Sequence, residues 1–149
     1  MGIVTKYTQC GWAAILVCVG VTQASAEAGV GFLPYQNPVS VQNGQVLYDQ
    51  NCASCHGAEL EGEPDWRAPK ENGRMPAPPH DASGHTWHHP DSVLFKITKF
   101  GTAKVVGQGY QSDMPGFSDA LTDQEILDVL AYIKSTWPER VVEMHNARN

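Results

Sequence analysis

Apolar residues recur at helical spacing in three stretches of the chain, and no stretch alternates apolar and polar residues long enough to suggest a strand. The last stretch is the clearest. Ile126, Leu127, Leu130, Ile133 and Trp137 form one stripe, Thr122 and Glu125 stand in capping-box relation ahead of it, and Pro138 ends it. A middle helix is predicted after Pro90, with Asp91 and Ser92 in its first turn, Val93, Leu94 and Ile97 on one side, and Gly101 as its stop behind Phe100. The earliest helix is predicted from Ser40, as N-cap, through Val41, Gly44, Val46, Leu47 and Tyr48 toward Cys52. Gly44 and Tyr48 lie four apart on one face, where a glycine lets a second helix approach closely.

Between the first two helices the pattern breaks. Residues 57–89 carry Pro64, Pro69, Pro76, Pro78 and Pro79 and little periodicity, so a long irregular loop is predicted there; such loops inside compact domains are usually functional. A connection containing Gly107, Gly109 and Gly116 precedes the last helix, and there is no internal repeat. The expected fold class is all-α, three or more helices with long loops. Residues 40–138 form the domain, residues 27–39, with Pro34 and Asn37-Pro38, an extended arm lying on it, and residues 139–149 a polar tail.

The first residues follow a different pattern. Lys6 precedes an apolar run of twelve residues, Cys10 to Val21, that leads to Ala24-Ser25-Ala26, and this is expected to be a secretory signal peptide over residues 1–26. The run is short of the roughly 20 residues a membrane-spanning helix needs, so no transmembrane span is expected after cleavage. Cys18 follows Val17 rather than the small residue that a lipoprotein cleavage site wants. Cleavage after Ala26 removes Lys6, Cys10 and Cys18, which places the protein in the periplasm with Cys52 and Cys55 as its cysteines and a charge one more negative than the −6 of the whole sequence. Such a charge argues against nucleic acid and for partners with basic patches.

The chemistry concentrates at Cys52-Ala53-Ser54-Cys55-His56, because Cys-x-x-Cys-His is the attachment pattern of a c-type haem. On a helical turn, two cysteines three apart reach the two vinyl groups of one porphyrin edge, and the adjacent histidine projects toward the iron. A dithiol redox site would need a thioredoxin-like βαβ context, and zinc would need two further ligands, which only the loop histidines supply. For the iron's second axial position a thioether is the soft ligand that raises the reduction potential. Met114 stands before Pro115-Gly116 in the Gly-rich connection, where a loop can cross the open haem face. Met75 in the Pro-rich loop is the alternative, and Met144 falls in the polar tail.

Residues from about 40 to 137 resemble a class I c-type cytochrome: a helix leading into Cys52-Ala53-Ser54-Cys55-His56-Gly57, a middle helix, Met114-Pro115 in a loop, and a last helix through Ala131-Tyr132-Ile133. The resemblance implies the cytochrome c fold around one covalent haem c, with Cys52 and Cys55 attached to it and His56 and Met114 on the iron. It implies first and last helices that cross closely, and a proline carbonyl, from Pro78 or Pro79, behind the His56 ring. The implied role is electron transfer, the iron cycling between Fe(III) and Fe(II), by a carrier rather than an enzyme. Its partners would be a dehydrogenase, oxidase or reductase, with the protein a monomer or a subunit of a redox complex. Two other readings stay open: a catalytic or sensor cytochrome with an open sixth site, and a copper-handling protein. The second comes from His80, His85, His88 and His89, which invite a metal; alternatively these histidines cap the next helix or face solvent while Trp87 packs on the haem edge or donates to a propionate.

Overall fold

A computed structural model of the chain describes residues 1–2 and 31–149, so the expected signal peptide, but for its first two residues, and the start of the arm lie outside the described residues. The described residues form six α-helices, a 3-10 turn and no strand. The helices are α1 (Pro38–Asn51), α2 (Ala53–His56), α3 (Asp91–Phe100), α4 (Thr102–Val106), α5 (Asp123–Ser135) and α6 (Glu139–Asn146), with the turn at Thr86–His88. The all-α expectation holds.

The first helix starts earlier than expected. Asn37, not Ser40, is the N-cap: its side chain accepts from the backbone N–H of Val39 at 3.0 Å and of Ser40 at 3.4 Å, and Pro38 opens the helix, where its missing N–H costs nothing. Ser40 is one of three buried residues on α1, with Gly44 and Tyr48. α1 and α5 make the most extensive helix contact in the molecule. Gly44 sets their separation, because a Cβ there would run into the carbonyl of Asp128 and come within 3.0 Å of Tyr132 Cβ. Tyr48 packs at 5.5 Å from the Tyr132 ring, and Ile126, Val129, Leu130 and Ile133 of α5 complete the core with Leu33, Leu94 and Trp137.

The capping box of α5 is formed, with both Thr122 and Glu125 engaged, and α3 occupies the expected range. Two helices were not expected. α4 follows Gly101 directly. Residues 139–146, read as polar tail, are helical: Val141 and Val142 pack on the core, and His145 is fully buried.

The long loop is held by its own bonds. His80 N–H donates to Leu60 O at 2.8 Å, Glu63 N–H to Ala77 O at 2.8 Å, and Trp137 Nε1 to His80 O at 2.8 Å. These contacts bring Pro78 back beneath α2.

Candidate haem site

α2 is a single turn continuing from α1 at a bend, Cys52, whose N–H still donates to Tyr48 O at 2.8 Å. Cys55 and His56 N–H both return to Cys52 O, at 3.1 and 2.9 Å, so the whole motif lies on one tight turn. Gly57 ends that turn with φ 81°, and its carbonyl accepts from the Tyr48 hydroxyl at 2.9 Å. Both motif cysteines are free thiols. Cys52 is half-buried against the core and Cys55 exposed. Burial, and then the neighbouring Cys55, push the Cys52 thiol up to about 11.

His56 is 6% exposed. Its Nδ1 lies 2.8 Å from Pro78 O, and a carbonyl can only accept, so Nδ1 carries the proton and Nε2 keeps its lone pair. Of the two prolines considered, Pro78 provides the carbonyl. Burial lowers the His56 pKa against the smaller opposing effects of that carbonyl and of Glu63, which keeps the ring neutral and able to bind a metal.

Met114 lies on the connection between α4 and α5. Its N–H donates to Ser112 Oγ at 3.1 Å, and its Sδ accepts from Thr102 Oγ1 at 3.4 Å. Gly116 presses this connection onto the end of α3, since a Cβ there would lie 2.6 Å from the Phe100 carbonyl carbon. Arg74 of the long loop pairs with Asp113 beside it. Met75 and Met144 are exposed, at 38% and 40%.

The four loop histidines are not one cluster. His80 turns inward, stacking on His56 at 3.9 Å between ring centres, with Nδ1 2.8 Å from Thr86 Oγ1. His85 stacks on Trp66 at 5.3 Å, His88 lies tilted against Trp87 at 3.7 Å, and His89 meets His85 edge-on at 5.5 Å. Among the described residues no three His, Cys, Asp or Glu are grouped to hold a metal ion. Trp87 Nε1 donates to Ala82 O at 3.3 Å. The stacked His80 and the Thr102 hydroxyl are the parts of the site that sequence reasoning missed. The nearness of His80 to a proline-anchored histidine had no local signal, and Thr102 sits twelve residues from the sulfur it reaches.

The family model described as Cytochrome c matches residues 41–137, nearly two thirds of the chain. The chain belongs to the cytochrome c family. This cytochrome is 32% identical over 96 residues to cytochrome c-555 of Prosthecochloris aestuarii, covering 61% of this chain and 82% of that protein. It is 31% identical over 98 residues to one of the nicotinate dehydrogenase subunits of Pseudomonas putida, covering 64% of this chain but only 7% of that much longer protein. No solved structure matches at a significant level. The cytochrome c family binds covalent haem c with its iron, and this cytochrome's work is haem-based electron transfer. The residues fit such a group: two unpaired thiols on one turn, and beside them a neutral imidazole whose Nε2 makes no hydrogen bond among the described residues. No helix among the described residues is long and apolar enough to cross a membrane.

Proposed function

We propose that this cytochrome is a periplasmic electron carrier. One haem c is bound through thioethers from Cys52 and Cys55, with His56 Nε2 and Met114 Sδ as the two iron ligands. The observation that carries the reading is the His56–Pro78 bond of 2.8 Å, which fixes the tautomer and leaves Nε2 unprotonated. When bound, haem supplies the one-electron couple between Fe(III) and Fe(II). The chain's own residues fix its surroundings: Pro78 orients His56, Thr102 and Ser112 hold Met114, and Tyr48 braces the carbonyl of Gly57 behind the motif. With both axial positions filled, the iron is closed to small ligands, which favours a carrier over a catalyst. Secretion rests on the signal peptide read at residues 1–26, with residues 27–39 an arm, 40–138 the cytochrome domain and 139–149 its C-terminal extension.

The test is an optical spectrum of secreted protein, oxidised and reduced, with haem staining after denaturation. Covalent haem with the weak far-red band of a methionine–ferric iron bond is expected, and Met114→Ala should keep the haem, lose the band and admit carbon monoxide. An unchanged band in that variant would rule Met114 out, and protein without haem would overturn the whole reading.

A second arrangement is favoured by the likeness to a dehydrogenase subunit: the cytochrome as the electron-accepting part of a redox complex rather than a free carrier. Gel filtration of the periplasmic extract, followed by the haem absorbance, separates the two. A free carrier elutes at the size of a single processed chain, below the 16.2 kDa of the uncleaved sequence, and a complex well above it.

A further inference from the structure

The His56 ring is tied at one point. Its Nδ1 lies 2.8 Å from Pro78 O, and a single hydrogen bond to a carbonyl fixes the tautomer and one corner of the ring, while the terminal torsion of a histidine side chain stays broad and soft. A second contact takes up that freedom. The His80 ring lies over the face of His56 at 3.9 Å between centres and 23° between planes. Rocking His56 about its last side-chain bond drives it into His80 or opens a gap on that side, so the stack fixes the plane that the hydrogen bond leaves loose.

His80 is itself held too firmly to follow. Its N–H donates to Leu60 O at 2.8 Å, and its carbonyl accepts from Trp137 Nε1 at 2.8 Å. Its Nδ1 lies 2.8 Å from Thr86 Oγ1, and the Thr86 hydroxyl donates to Pro79 O at 3.4 Å, so Nδ1 is the donor in the bond to Thr86. Tyr48 meets the ring edge-on at 6.2 Å. The backbone beside His80 has no slack either: a Cβ at Gly62 would lie 2.5 Å from Pro79 N, and one at Gly84 would run into Pro79 O. Leu60, Trp137 and Tyr48 all belong to the core, so the stack is referred back to it. The other loop histidines, His85, His88 and His89, find their ring partners elsewhere, in Trp66, Trp87 and His85.

We infer, on the reading that His56 is an iron ligand, that His80 is its positioning residue: a second imidazole, anchored by Thr86, Leu60 and Trp137, that sets the plane of the ligating ring and favours the ferric state. The plane of a ligating imidazole decides which iron d orbital its π electrons meet, and with it how unpaired spin spreads over a ferric haem. An imidazole bound to Fe(III) also carries more positive charge than one bound to Fe(II), and the electron-rich face of a neutral stacked ring favours the more positive partner. His80 therefore draws the reduction potential down.

Holo-protein is compared at about pH 8, where an ordinary histidine is neutral, by the shifted haem methyl resonances of the ferric form in proton NMR and by spectroelectrochemical titration. His80→Leu removes the stacked ring, whereas His80→Phe keeps a flat face in its place. The leucine variant should rearrange the methyl pattern and lower the ferric-to-ferrous ratio at a fixed potential about threefold, with the phenylalanine variant within about 1.5-fold of wild type. Thr86→Val leaves both rings and frees His80 Nδ1, and its methyl pattern should also move away from that of wild type, which keeps the role open to refutation if the leucine variant yields no holo-protein. A lower Tm with unchanged resonances and ratio, in the leucine variant or in Thr86→Val alone, would make His80 a packing residue and overturn the inference, as would equal shifts from leucine and phenylalanine. A wild type without covalent haem sinks the haem reading itself, whereas holo-variants indistinguishable from wild type sink only the role of His80.

Discussion

Thr102 is the residue whose effect on the iron is easiest to isolate. Its hydroxyl donates to Met114 Sδ at 3.4 Å, so it draws electron density from the sulfur proposed to bind the iron. Removing the donor makes the thioether a better ligand for the ferric form. Thr102→Val, nearly isosteric, is therefore expected to lower the reduction potential by about 20–60 mV, the equivalent of one modest hydrogen bond. Thr102→Ser should restore most of it. Voltammetry of the three proteins checks this, and equal potentials would mean the hydroxyl does not act on the sulfur. His56 differs in kind, because its partner Pro78 is a backbone carbonyl that no side-chain substitution removes.

At the scale of elements the decisive joint is α1 against α5. Gly44 lies under the Asp128 carbonyl, and any side chain there forces the two helices apart. Gly44→Ala should destabilise the holo-protein by at least about 2 kcal/mol despite alanine's better helix propensity, seen as a clear fall in Tm. A Tm at or above wild type would show that the crossing has slack. This joint was legible beforehand, since Gly44 and Tyr48 share a face and the last helix carries a stripe to meet them. So were the Thr122–Glu125 box and the Gly101 stop, all signals contained within four residues. The start of α1 differs from the expectation because both Asn37 and Ser40 can cap a helix; Asn37 takes that position and Ser40 is buried within the first turn. α6 went unread for a related reason. Its reward is the burial of His145 against Asp91 and His89, more than fifty residues away in sequence, and no local pattern announces a contact of that kind. The loop histidines separate for the same cause: four residues close in sequence are sorted by Trp66, Trp87 and His56, each with its own ring to offer.

At the scale of the whole molecule, Asp91 is the point where the chain's far parts meet. Its Oδ2 accepts from the N–H of Phe32 at 2.7 Å and of Leu33 at 3.0 Å, and its own N–H donates to Asn149 Oδ1 at 2.8 Å. Its Oδ1 faces Lys134 Nζ at 3.7 Å and His145 Nε2 at 3.4 Å, all three side chains fully buried. Burial and the nearby Lys134 lower the His145 pKa from 6.5, outweighing Asp91 and the His89 carbonyl, while Arg148 adds to the lowering. The folded state therefore binds this proton less readily than the unfolded state does. Stability is full above about pH 6.5 and is lost as pH falls through the window below it. His145→Gln cannot take up the proton, so its Tm should fall less than that of wild type between pH 7.5 and 5; parallel slopes would show that His145 is not the group responsible. The same junction ties the segment before α1 to the segment after α6. Asn149 Nδ2 lies 2.9 Å from the place a Cβ on Gly31 would occupy, so the two segments are held side by side. Such a unit can be spliced into a surface loop of a host protein without prying the host's flanking residues apart, or closed by a few added residues and reopened at the exposed turn around Gly73 as a circular permutant.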